Sequence, residues 1–209
     1  MALDVTPTPS RVRSAVRGDD HVSDDKPRDV VDLLIAQHDE IRRLFDEVEG
    51  AGGEERAAAF DRLRRLLAVH ETAEEEIVHP FARRHLADGP EVVGARLTEE
   101  NQAKQLLSDL EYFGTGESGF SRRLGDLRLA VMDHARQEEA EEFPRIRELS
   151  SGKERHRMAM AVRAAEAVAP THPHVGFESA PANVIAGPFA AVADRARDAI
   201  RNVTRRHLG

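Results

Sequence analysis

The chain has 209 residues, a net charge of −8 and no cysteine, which excludes disulfides, thiolate metal sites and cysteine nucleophiles and argues against nucleic acid as a partner. Hydrophobic residues make up 40% and aromatic residues 4%, and the many Ala, Leu, Glu and Arg predict an all-α protein. No apolar leader and no run of about 18 apolar residues occurs, so the reading is a soluble, cytoplasmic chain.

Residues 1–28 mix Pro, Ser, Asp and Arg without periodicity and read as a tail, with His21 solvated. A first helix is predicted over 29–50, with Asp29 as N-cap and the seam Leu34, Ile41, Phe45 and Val48. His38 falls on that seam, where a core residue should be. After Gly50, Gly52 and Gly53, a second helix runs to the mid-80s on Phe60, Leu63, Leu67, His70, Glu74, Ile77 and Phe81. Pro80 should kink it or start its last turns anew. Asp88-Gly89-Pro90 is a turn, and a third helix over 91–113 carries Val93, Leu97, Leu107 and Leu110, with Glu100 on the same face. A fourth helix begins near 120 on Phe120, Leu124, Leu127, Val131, His134 and Glu138, and Pro144 falls where Pro80 did.

Residues 29–149 therefore read as an up-down-up-down four-helix bundle, and 150–209 as a C-terminal helical extension. The extension has a helix over 151–169, a Pro-rich linker and an amphipathic stretch over 184–209. The apolar face of that stretch is Ile185, Phe189, Val192, Ala196, Ile200 and Val203. It is expected to dock on its own bundle or on a second copy of the chain as a homodimer. Arg195, Arg197, Arg201, Arg205 and Arg206 around the stripe offer the alternative, peripheral membrane contact.

One pattern occurs twice: HETAEEEIVHPF at 70–81 and HARQEEAEEFPR at 134–145. Each has a His, a Glu four residues on and a Pro ten residues on. Residues four apart on a helix share a face, so His70 with Glu74 and His134 with Glu138 can each grip one metal site. The repeat gives the bundle a pseudo-two-fold, and aligning 38–49 with 100–111 places Glu100 opposite His38. Ionisable groups on an apolar seam are costly unless paired or metal-bound. Three His and three Glu at mid-helix height are simplest to explain as a metal centre. Imidazole and carboxylate without thiolate suit iron, manganese or zinc, and bridging carboxylates allow two ions. Two six-coordinate ions would leave about three of about 12 positions open to solvent or a small ligand.

On these motifs the sequence resembles the haemerythrin-like (HHE cation-binding) family over about residues 29–149. The resemblance implies a four-helix bundle around two non-haem iron ions with an oxo or hydroxo bridge. It implies His38, His70, Glu74, His134 and Glu138 as ligands, with Glu74 and Glu138 as bridges. The third helix departs from the family pattern, which has His there. Glu100 is the substitute from the register with His38, Asn101 with Gln105 is a competing pair, and loss of one metal at this corner is the other outcome. A carboxylate in place of imidazole favours ferric over ferrous iron. The expectation is therefore reaction with oxygen or hydrogen peroxide, in a catalase- or peroxidase-like or other redox role, rather than oxygen carriage. The alternatives are a non-enzymatic oxygen or iron sensor or storage protein, and a metal-free helical interaction module.

The remaining candidates read as bystanders. His79 is off the seam and expected at the bundle end, outside the ligand set. His85, His156 and His207 are expected on the surface, and His172 with His174 form a weak pair in the linker. Glu99 is expected in solvent, Tyr112 at the core edge, and the Glu-rich runs at 74–76 and 138–142 on exposed faces apart from one inward Glu in each.

Overall fold

The apolar seams resolve, in a computed structural model, into an all-α bundle with further helices at its C-terminal end; residues 29–168 and 189–208 are described. The tail, the linker with His172 and His174, and the side chain of His207 lie outside the described residues. Helix α1 spans Val30–Gly50 and is capped by Asp29, whose carboxylate accepts from the N–H groups of Val31 and Asp32 at 3.1 and 3.2 Å. A two-residue turn leads into α2, Gly53–Ala73, so the two helices lie antiparallel.

Helix α2 does not end at Ala73. It widens into a π-turn over Glu74–Val78 and continues as α3, His79–His85. The fourth strut does the same: α5, Phe120–Gln137, passes through a π-turn over Glu138–Glu142 into α6, Phe143–Leu149. In each, the N–H of the residue after the turn bonds the carbonyl five residues back, His79 to Glu74 and Phe143 to Glu138. Pro80 and Pro144 follow at the second position of α3 and α6. Proline lacks an N–H and its ring collides with the carbonyl four residues back in a regular helix. The wider turn relieves that clash without a break, so the expected kink is here an inserted residue.

Between the two long struts runs α4, Gly89–Phe113, and Gly114 and Gly119 take positive φ (78° and 92°) in the turn to α5. Two large apolar clusters fill most of the bundle, beside a small third one of Ala82, Leu86 and Val93. One holds Ile41, Phe45, Leu63, Leu67, Leu107, Leu124 and Leu127, and the other Leu34, Val69, Val78, Phe81, Phe143 and Ile146. His38, His70 and His134 lie between them along their helices, so a polar belt crosses the core at the boundary of two apolar layers.

Helix α7, Gly152–Val168, packs on α1 and α2, and α8, Phe189–Leu208, packs on α2 and α7. Val192, Ala196 and Ile200 of α8 are buried in the second cluster, and Arg197 and Arg201 pair with Glu76 on the π-turn. The apolar stripe thus docks on its own bundle, which removes the face that peripheral membrane contact would use. Among the described residues no helix is long and apolar enough to cross a membrane. Tyr112 is not at the core edge but 85% exposed.

Candidate metal centre

Each strut contributes to the belt from mid-helix, where the backbone is most rigid. His38 (α1), His70 (α2), Glu74 (π-turn), Glu100 (α4), His134 (α5) and Glu138 (π-turn) are all buried. Their inner atoms converge. His38 Nε2 lies 3.0 Å from His70 Nε2, and His70 Nε2 lies 3.1 Å from Glu74 Oε1. Glu138 Oε2 stands 3.4 Å from both His38 Nε2 and His134 Nε2, and Glu74 Oε2 stands 3.7 Å from His134 Nε2. Two groups of ligand atoms emerge: His38, His70, Glu74 and Glu138 form one, and Glu74, Glu100 and His134 the other. Glu74 belongs to both. The structure therefore brings together all six residues expected from the sequence.

The outer ring atoms are also committed. His38 Nδ1 faces Glu139 Oε1 at 2.7 Å, His70 Nδ1 faces Gln37 Oε1 at 2.8 Å, and His134 Nδ1 faces Glu99 Oε2 at 3.0 Å. An acceptor behind Nδ1 holds the proton there and leaves the Nε2 lone pair pointing inward, as a metal-binding imidazole requires. Gln37 is itself fixed, since its Nε2 donates to Glu166 Oε1 of α7 at 2.8 Å.

Electrostatics sharpen the picture. Burial holds the His38 imidazole below its ordinary value and favours the neutral ring. Burial opposes ionisation of Glu74, yet His70 and His134 beside it hold its carboxyl well below the usual range. Burial and the neighbouring Glu74 charge push Glu138 well above it. Burial opposes protonation of His134, but Glu138, Glu74 and Glu99 around it raise it to about 12. The donor set passes a simple test of fit. Both oxygens of Glu74 and of Glu138, and Nε2 of His134, are buried without a hydrogen-bond partner. Orphaned buried carboxylate oxygens aimed at one point are expensive, and a cation offsets that cost in place of the proton that they hold on His134.

A small cavity abuts the belt, with Leu67, Ala103, Val131 and Ala135 on its apolar side and His38, His70, Glu71, Glu100 and His134 on the other. Lys104 closes the flank, its Nζ 2.5 Å from Glu75 Oε1 and 3.4 Å from Glu71 Oε2 and Glu100 Oε2. Burial pushes the Glu71 carboxyl up to about 8 against the pull of Lys104.

Three expectations need correction. His79 is not at the bundle end: it is buried at the belt, with Nε2 2.5 Å from Glu100 Oε1 and Nδ1 3.9 Å from Glu142 Oε1. Burial opposes its protonation, but Glu100 and Glu142 raise it to about 10. Glu142 lies fully buried beside it, so the second Glu-rich run turns two carboxylates inward rather than one. The reason in both cases is the π-turn, which carries residues four and five positions after Glu138 and Glu74 onto the inner face. Glu99 is not simply in solvent either, since it bonds His134 and receives Arg96 Nη1 at 2.6 Å. The legible signal was the Pro that follows each Glu-rich run, which a seam extended at strict helical period reads through.

Comparison with known proteins agrees with this architecture. The model of the haemerythrin HHE cation-binding domain matches residues 29–146. A protein of Mycobacterium kansasii, described as a haemerythrin HHE cation-binding domain-containing protein and Rv2633c homologue, superposes with a TM-score of 0.57 at 23% identity, over 65% of this chain and 83% of its own. A protein named DNA nickase from Nostoc sp. (strain PCC 7120) is 27% identical over 145 residues. That match takes in 69% of this chain and 41% of the nickase, so the chain spans less than half of that relative's length. A family model that covers more than half of the chain, over the segment that builds the belt, makes this protein a member of the haemerythrin HHE cation-binding domain family.

Proposed function

We propose that the chain holds two iron ions through His38, His70, Glu74, Glu100, His134 and Glu138 and acts on oxygen, hydrogen peroxide or a related small molecule. The observation that carries this reading is the sharing of Glu74 between two groups of inward ligand atoms. Glu74 would bridge, with one ion on the His38 and His70 side and the other on the Glu100 and His134 side. Bound iron would supply the redox chemistry. The protein's part is to fix the imidazoles through Glu139, Gln37 and Glu99, and to keep the apolar side of the cavity dry for a small neutral ligand. Three carboxylates against three imidazoles favour ferric iron, which supports reaction over reversible carriage. A net charge of −8 and a match to only 41% of the nickase argue against action on DNA.

Iron loading, removal of loose metal and metal analysis test the reading. Two iron ions per chain, near-ultraviolet charge-transfer bands and consumption of peroxide are expected. Glu74→Ala should lose both ions, because both groups depend on it. A wild-type chain that retains no metal after loading overturns the proposal and leaves a helical interaction module. A second reading, a non-enzymatic sensor, is favoured by one observation: Glu166 of the extension reaches the centre through Gln37 and His70. Two iron ions without peroxide turnover would select it.

A further inference from the structure

At three corners of the belt the same order holds. An imidazole faces inward and an acceptor stands behind it: Glu139 behind His38, Gln37 behind His70, Glu99 behind His134. At the fourth corner the order is reversed. The carboxylate of Glu100 faces inward and the imidazole of His79 stands behind it, with Nε2 2.5 Å from Glu100 Oε1.

The reversal has a definite place in the pseudo-two-fold. His79 and Phe143 are the first residues after the matched π-turns. Phe143 stacks on His38, with ring centroids 5.7 Å apart and planes 14° from parallel. Glu100 is the counterpart of His38 in the sequence register. The two halves thus make the same contact with different chemistry: ring against ring in one, ring against carboxylate in the other.

The difference matters for direction. An imidazole with Nδ1 committed presents one lone pair along a fixed line. A Glu side chain has three torsions and two equivalent oxygens, so its aim is set by whatever holds it. Glu100 has two such contacts. Lys104 Nζ is 3.4 Å from Oε2 on a side chain a quarter exposed, whereas His79 is buried and close to Oε1. We propose that His79 is the positioning residue of the fourth corner: its Nε2–H donates to Glu100 Oε1 and aims that carboxylate at the metal position it shares with Glu74 and His134. The rigidity that α4 lacks for want of a histidine is supplied from α3. This rests on reading the belt as a two-metal centre.

The full chain, loaded with iron, gives the test through metal stoichiometry and chelator competition, with circular dichroism to follow helicity. His79→Phe copies the residue of the other half, and His79→Gln keeps an N–H donor. Wild type should hold two iron ions. In His79→Phe one of them should weaken by roughly 10–100-fold, with the other unchanged, and His79→Gln should recover most of the loss. Equal affinity for both ions in wild type and His79→Phe overturns the positioning role, and so does a His79→Gln that loses as much as His79→Phe. Should His79→Phe fail to fold, His79→Leu against His79→Gln decides in the same way, and equal affinities there overturn the proposal. A wild-type chain without iron sinks the two-metal reading itself, before any variant is compared.

Discussion

Gly89 shows how a single residue far from the belt sets its geometry. It is the buried first residue of α4, just after the short turn from α3, and its N–H bonds the Leu86 carbonyl at 3.1 Å. A β-carbon there would stand 2.8 Å from Arg83 Cα and closer still to the Ala82 carbonyl, both backbone atoms that cannot swing aside. The start of α4 is therefore pinned against α3, and Glu100 rides on the same helix, three turns further on. Gly89→Ala must push the two helices apart, and we expect a loss of about 1–3 kcal/mol in urea unfolding. Because the shift moves Glu100 relative to Glu74, iron binding at that corner should weaken as well. Gly125→Ala, at an open position in mid-helix α5, is the control and should be neutral or slightly stabilising.

At the scale of elements, the ends of α1 and α7 are tied through Asp29. Its carboxylate caps α1 and accepts from Arg155 Nε at 2.6 Å. Burial would raise this carboxyl, but the Arg155 hydrogen bond and the capped N–H groups hold it below its ordinary value of 3.8. The sign follows from linkage: a group whose folded value is depressed stabilises the fold above its unfolded value and loses that contribution as pH falls through the folded value. Asp29→Ala should cost about 1 kcal/mol near neutral pH, and Asp29→Asn, which keeps the cap, should cost less. Unfolding followed from about pH 6 to about pH 2 should show the variants and wild type converging at the acid end. A gap between Asp29→Ala and wild type that persists there would assign the loss to packing instead. The same scale explains what could be read in the sequence. The seams of α1, α2 and α5 kept strict 3–4 spacing, so His38, His70, Glu74, His134 and Glu138 were legible as inward. The π-turns were not, since their only trace is a proline after an acidic run. For that reason His79 and Glu142 were misplaced while the residues one turn earlier were not. Glu100 was legible from two signals, its place on the Leu97–Leu107 face of α4 and its register with His38 in the repeat.

The whole molecule departs from the two-fold symmetry of its bundle. Among the described residues, α7 and α8 pack chiefly on the α1–α2 half and touch α4 through the Phe189 N–H bond to Glu111. A connection runs from α7 to the belt of the covered half, through Glu166, Gln37 and His70. The order of that connection is chemical. With its Nε2 donating to Glu166, the Gln37 amide must turn its oxygen to His70 Nδ1–H, which keeps the His70 Nε2 lone pair free for a cation. Without Glu166 the amide can flip, present its NH2 to Nδ1 and force the ring proton onto Nε2, where metal should bind. Glu166→Leu should therefore weaken iron binding roughly 10-fold, while Glu166→Gln, which still offers an acceptor, should stay near wild type. If both variants bind iron alike, α7 serves only as cover for the apolar face of α1 and α2. Linkage makes the effect reciprocal: if docking of α7 favours metal, metal must favour docking of α7 by the same factor. Amide exchange along α7 should accordingly slow on iron loading in the wild type and respond less in Glu166→Leu. Such a response would give the extension a way to report the state of the centre to whatever binds its outer surface.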